Sequence, residues 1–123
     1  VTYLVDSHVL LWWLGDPARL SSSHREILAN VRNEVVVSSI SVAELEIKAS
    51  LGKLEMPDDL PGAIEAVGLS TAGFEPRHAV ALRTLPFHHR DPFDRMLVAQ
   101  ALVDSLIFLT VDDNCKKYDI LTR

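Results

Sequence analysis

Apolar residues along the 123-residue chain fall into two patterns. Short, almost unbroken runs rich in β-branched residues predict strands covered on both faces: Thr2 to Val5 (TYLV), Glu34 to Ser39 (EVVVSS) and Leu106 to Val111 (LIFLTV). Between them lie longer segments with helical spacing. One helix is predicted through HVLLWWLG after Asp6. A second follows from a Ser23 cap to about Arg32, once Pro17 and the serines Ser21 to Ser23 have broken the chain. A third runs from about Ser41 to Leu51, stopped by Gly52, and a fourth from Leu60 to about Val67, ended by Gly68. Pro76 to Leu85 and Pro92 to Asp104 complete the helices. LSTAGF (Leu69 to Phe74) reads as a weak strand, and a last turn leads to a short strand around Ile120-Leu121. This alternation indicates an α/β fold with a mainly parallel, covered sheet. No repeat, low-complexity tract or linker divides the chain, so residues 1–123 are expected to form one domain.

The late helix carries a puzzle. In HRDPFDRMLVAQAL (His89 to Leu102), Asp91 precedes Pro92 as an N-cap precedes a proline at the first helical position. Asp94, three residues on, would complete a capping-box-like pair and meet the positive end of the helix dipole. At about 100° per residue, however, Asp94 shares its side with Leu97, Val98 and Ala101, while Arg95, Gln100 and Asp104 lie elsewhere on the wheel. A carboxylate on an apolar stripe needs a partner. Capping accounts well for Asp91 and poorly for Asp94.

Three other acids occupy comparable positions. Asp6 follows the first strand, Asp112 follows LIFLTV, and Glu44 lies in the opening turn of the helix after EVVVSS. In open α/β sheets, the loops beyond the strands' carboxyl ends and the helix starts beside them form the ligand crevice. The four acids are therefore expected to be neighbours. Each also has a plainer reading: Asp6 as a helix cap, Asp112 as a turn residue beside Asp113 and Asn114, and Glu44 as a partner of Ser41 or Lys48. What capping leaves unexplained is the shared placement. Crowded carboxylates repel unless a cation neutralises them, and all-oxygen ligation suits Mg²⁺ or Mn²⁺ rather than zinc.

Composition adds bounds. Apolar residues make up 48% of the chain, which excludes a disordered protein. The longest apolar run, Val9 to Leu14, is far too short to span a bilayer, and no signal-peptide pattern opens the sequence. The one cysteine, Cys115, makes no internal disulfide, and a cytoplasmic location is the default expectation. The net charge of −5 argues mildly against a nucleic-acid partner. Acids gathered around a bound cation would nonetheless attract phosphate locally.

Taken together, YLVDSHVLLWWLGDP, SSISVAELEIKASLGKLEMP, LPFHHRDPFDRMLVAQAL and FLTVDDNCKKY resemble, in order and over almost the whole chain, the PIN-domain endoribonucleases of the VapC toxin type. The resemblance implies a PIN-like three-layer α/β/α fold with a mainly parallel central sheet. It implies a metal site of Asp6, Glu44, Asp94 and Asp112, with Ser7 as the small hydroxyl residue after the first acid and Thr110 orienting Asp112 or a water. Asp91 matches as the acid before proline and is kept as a cap. Ala43 and Cys115 depart from the family pattern, where bulkier and apolar residues are usual, but neither removes a ligand.

The implied activity is hydrolysis of an RNA phosphodiester assisted by Mg²⁺, or Mn²⁺, inside a type II toxin–antitoxin system. A cognate VapB-type antitoxin, a homodimer and no membrane partner are implied with it. Candidates for holding RNA are Arg90, Lys48, Lys53, Lys116, Lys117, His88 and His89, although each also reads as a solvated surface group. Zinc at His88-His89 is disfavoured because no cysteine or further histidine lies at ligand spacing. His8 is expected to pack or hydrogen-bond near the first helix. Trp12 and Trp13 cannot both face the sheet, so one is expected to mark an exposed contact for a second subunit or an antitoxin. The rival readings are a non-catalytic PIN interaction module and a Mg²⁺-dependent phosphotransfer domain. The phosphatase form of the latter is disfavoured by His8, which stands where it needs a second aspartate.

Overall fold

The computed structural model describes all 123 residues. Four strands, β1 (Thr2–Val5), β2 (Glu34–Ser38), β3 (Ser70–Ala72) and β4 (Ile107–Leu109), form one sheet in the order β3-β2-β1-β4. All three pairings are parallel, as the unbroken apolar runs imply. Six helices accompany them: α1 (Ser7–Gly15), α2 (Ser22–Ala29), α3 (Ser39–Ser50), α4 (Leu60–Ala66), α5 (Pro76–Ala81) and α6 (Pro92–Asp104).

The two-residue period of the strands sorts their side chains into two cores. Val5, Val35, Val37 and Leu109 point to one face and meet Val9 and Leu10 of α1, Leu28 of α2, Leu45 of α3, and Leu60 and Ile64 of α4. Leu4, Val36 and Phe108 point to the other and meet Leu97, Val98 and Ala101 of α6, together with Leu85, Cys115 and Tyr118. The result is the expected three-layer α/β/α arrangement. No helix is long and apolar enough to cross a membrane.

Several boundaries differ from expectation for identifiable reasons. Ser21, rather than Ser23, caps α2, accepting from His24 N–H, and the helix ends at Ala29. Ser38 closes β2 and caps α3 through Ile40 N–H, so α3 begins two residues early and Glu44 sits in its second turn. A Ser41–Glu44 capping box is thereby ruled out. The helix from Pro76 yields to a 3₁₀ turn over Leu82–Thr84. Gly52 and Gly68 do terminate their segments, at φ +72° and +82° where a Cβ would be strained. The strand around Ile120-Leu121 reduces to an isolated parallel bridge between Phe108 and Thr122, with backbone bonds from residues 121 and 123 to β4.

α6 is buried almost all round, which its sequence pattern concealed. Gln100 is fully buried, accepting from Ser38 Oγ at 2.6 Å and donating to Gly73 O at 3.3 Å. Buried Arg95 donates to the carbonyls of Leu85 and Pro86 and to Tyr118 Oη. These polar side chains tie the loops at either end of β3 and α6 to the core instead of facing solvent. Trp12 and Trp13 both pack, half-buried, against the first core, and Arg19 lies 4.9 Å over the Trp12 ring. Neither tryptophan is fully exposed, and both rings share the same core face. His8 is exposed, with its ring 6.2 Å from that of Trp12.

Replacing Gln100 by leucine leaves the Ser38 hydroxyl without its acceptor. Urea unfolding is expected to show a loss of about 1–3 kcal/mol, the usual cost of an orphaned buried polar group.

Candidate active site: an acidic crevice at the strand ends

β1 is followed across the sheet by β2 on one side and β4 on the other, so the chain reverses direction at the β1/β4 boundary. Such a switch point opens a crevice beyond the carboxyl ends of the strands. Asp6 lies there, buried, at the end of β1. Its Oδ1 accepts from Val9 N–H at 2.9 Å and caps α1, as the plainer reading held. Its Oδ2 turns across the boundary to accept from the Thr110 hydroxyl at 2.5 Å. The same hydroxyl oxygen accepts from Asp112 N–H at 3.0 Å. Thr110 thus bridges the carboxylate after β1 and the backbone of the acid after β4.

Glu44 reaches the crevice from the second turn of α3. Its Oε1 accepts from Ser7 Oγ at 2.7 Å, and its Oε2 pairs with Lys48 Nζ at 2.8 Å. The Lys48 pairing was one plain alternative for this residue, and it is formed. The Ser7 hydroxyl also bonds Ser41 at 3.1 Å, which joins α1 to α3 beside Asp6.

Asp94 lies in the first turn of α6, and Asp91 caps that helix through Phe93 N–H at 2.8 Å and Asp94 N–H at 3.4 Å. The Asp94 carboxylate is free of this cap and faces the crevice, where His89 Nε2 stands 3.1 Å away. The same nitrogen is 2.6 Å from Asp112 Oδ2. Thr110 and His89 thus link Asp6, Asp112 and Asp94, while Glu44 stands to one side on Ser7, the neighbour of Asp6 in the chain; the four acids do not by themselves bring their oxygens within 4.8 Å of one another.

The electrostatics follow from crowding. Burial, then the charges of Asp91, Glu44 and Asp6, push Asp94 up to about 7. Asp6 is also raised by burial, against the hydrogen bonds from Thr110 and Val9. Burial works in the same direction on Asp112, but hydrogen bonds from His89 and Asn114 N–H outweigh it and hold that carboxyl below the usual range. Lys48 is raised by its bond to Glu44, with Asp91 and Asp94 adding to the pull.

The fold also brings in groups that sequence spacing could not locate. His89, Asp112 and Cys115 present ligand atoms within 4.8 Å of one another, so a cysteine does stand beside the histidine pair after all. Burial and the charges of Asp94, Asp112 and Asp6 push the Cys115 thiol up. Its side chain is packed in the second core. Of the cations proposed for RNA, Lys48 is paired with Glu44, Lys116 with Asp113, and Lys117 donates to Asn114. His88 packs edge-on against Tyr118. Arg90 and Lys53 are exposed.

The PIN domain family model matches residues 3–121 of the chain. The protein belongs to the PIN domain family. This PIN domain is 28% identical over 120 residues to ribonuclease VapC22 of Mycobacterium tuberculosis, covering 95% of this chain and 92% of that protein. Among solved structures it resembles a chain of VapBC2 from Rickettsia felis bound to a DNA fragment from their promoter. The TM-score is 0.74 at 14% identity, over 100% of this chain and 98% of that one. DNA-bound VapBC from Salmonella typhimurium gives a TM-score of 0.70 at 14% identity, over 100% and 97%. At such identities the structural likeness speaks for the fold.

A carboxyl that titrates near 7 when folded and near 3.8 when unfolded gives the folded PIN domain an extra proton between those values. Stability falls as pH rises through that window. In metal-free buffer, Asp94→Asn is expected to match the wild type near pH 4 and to exceed it above pH 7. The gain should be about 1–2 kcal/mol, after allowance for the partial exposure of the carboxyl. Urea unfolding across the pH range measures the difference.

Proposed function

We propose that this PIN domain is a toxin endoribonuclease of the VapC type, hydrolysing RNA phosphodiester bonds with Mg²⁺ or Mn²⁺ held by Asp6, Asp94 and Asp112. Glu44 completes the site. One observation carries the reading: Thr110 and His89 bring the carboxylates of Asp6, Asp112 and Asp94 to one crevice, where burial and then the charges of Asp91, Glu44 and Asp6 raise Asp94. Crowded carboxylates in that condition suit a hard divalent cation, which prefers their oxygens to the His89 nitrogen and Cys115 sulfur beside them. The relative named ribonuclease VapC22 supports the choice of reaction.

A divalent ion at these oxygens would lower the pKa of a bound water and stabilise charge on the scissile phosphate. The chain's own residues do the rest. Thr110 keeps Asp6 and Asp112 turned toward each other. Glu44, whose oxygens are occupied by Ser7 and Lys48, acts through a water rather than by direct ligation. Lys48 limits the repulsion between Glu44 and Asp94. Of the cations named from the sequence, Arg90 and Lys53 are exposed and without a carboxylate partner, and so open to the RNA backbone. Because water is the nucleophile, the 2′-hydroxyl is not consumed, and the products carry a 5′ phosphate and a 3′ hydroxyl.

The structural relatives are VapBC complexes, which supports a VapB-type antitoxin as the natural partner. A homodimer and a cytoplasmic site of action accompany the proposal.

Asp6→Asn and Asp94→Asn are expected to abolish RNA cleavage while far-UV circular dichroism stays that of the wild type. Excess EDTA should do the same. Wild-type rates in either folded variant, or cleavage that survives EDTA, overturn the proposal in favour of a non-catalytic interaction module or a different site.

A further inference from the structure

His89 occupies a position that the acids alone do not explain. Its Nδ1 accepts a hydrogen bond from the backbone N–H of Asp91 at 3.0 Å. A ring nitrogen that accepts carries no proton, so neither the imidazolium nor the Nδ1–H tautomer fits this geometry. The ring proton therefore sits on Nε2. That nitrogen is hydrogen-bonded to Asp112 Oδ2 at 2.6 Å, and Asp94 Oδ2 lies 3.1 Å from it, beside that bond rather than in line with the N–H.

The ring is held from outside the acid cluster. His89 N–H donates to Tyr118 Oη at 3.0 Å, and Arg95 Nη1 donates to the same oxygen at 3.3 Å. Arg95 also fixes the carbonyls of Leu85 and Pro86 at the start of the loop. The far end of α6 repeats the device. His78 Nδ1 accepts from Glu75 N–H at 2.8 Å, and its Nε2 lies 2.8 Å from Asp104 Oδ2. In both places a nearby backbone N–H decides which nitrogen carries the proton, and the imidazole then reaches an aspartate.

We infer that His89 is a positioning residue of the acidic site: an Nε2–H donor to Asp112, its tautomer set by Asp91 N–H, that holds that carboxylate beside Asp94 before a cation binds. This rests on the proposed role of those acids as metal ligands. A protonated Nε2 has no lone pair for a metal, and it is turned toward carboxylates instead of a phosphate. His89 is thus neither a metal ligand nor an RNA contact. Donation to a ligating carboxylate is the task of an outer partner, whose loss typically costs 10–100-fold in metal affinity. Without it, the two like charges separate, and the ion must bring them back.

Two substitutions divide the functions of the ring. Glutamine places an amide N–H near the Nε2 position, whereas asparagine offers an acceptor near Nδ1 and is too short to reach the acids. Mn²⁺ affinity measured by calorimetry is expected to stay near wild type in His89→Gln and to fall ~10–100-fold in His89→Asn. Two-bond ¹H–¹⁵N correlation on the metal-free protein at neutral pH should find the ring proton on Nε2. A ring protonated on Nδ1, wild-type Mn²⁺ affinity in His89→Asn, or equal losses in both variants overturns the inference. Asp94→Asn separates the two levels of the argument. If it leaves Mn²⁺ binding intact, the reading of the acids as ligands falls. If it abolishes binding while His89→Asn does not, the role of His89 alone falls.

Discussion

The adjacency of β1 and β4 is the constraint on which the crevice depends. Residues 104 positions apart in sequence meet there through one hydroxyl, Thr110 Oγ1, which donates to Asp6 and accepts from the Asp112 backbone. The parallel register sets that contact: Val5 lies opposite Leu109, so the next residues of both strands emerge side by side. A slip of one residue would exchange the faces of Phe108 and Leu109 and swap the cores they fill. The packing of the sheet and the placement of the acids are therefore one geometric fact.

That placement opposes stability. Burial raises both Asp6 and Asp94, and the charges of Asp91, Glu44 and Asp6 add to the rise at Asp94; the hydrogen bonds from Thr110 and Val9 offset it at Asp6 only in part. Strain of this kind collects at functional sites because the surrounding structure overdetermines it. Here the determination comes from two dry cores, one on each side of the sheet, and from the buried Gln100 and Arg95 networks that fix the loops. Removing the repulsion would make a more stable protein that had lost its reason for the crevice.

Much of this was legible in the sequence. Unbroken apolar strands announced a covered parallel sheet, and the bounds of α6, Pro92 to Asp104, could be read from its proline cap and its length. Asp6 lies just after β1 and Asp112 a short way beyond β4, as the order of the chain indicated, whereas Glu44 sits a turn deeper in α3 than expected. What escaped was whatever depends on contacts distant along the chain. Helical periodicity assigned Arg95 and Gln100 to a polar face, because it cannot distinguish a solvated polar side chain from one paired inside. Ser38 ended a strand and capped a helix at once, and that dual use moved the start of α3. His89 gave no local sign of its role, since the acids it touches come from the next helix and from beyond β4.

The C-terminal residues carry a different implication. Backbone bonds link Leu121 O to Phe108 N–H, and Arg123 N–H and O to Phe108 O and Thr110 N–H, covering the outer side of β4. The opposite margin is β3, three residues long. A partner that attached by lengthening the sheet would find one margin already taken and the other too short to template much pairing. Association with this domain is thus directed to its helical faces and to the crevice, and fibrillar self-stacking through the sheet is disfavoured.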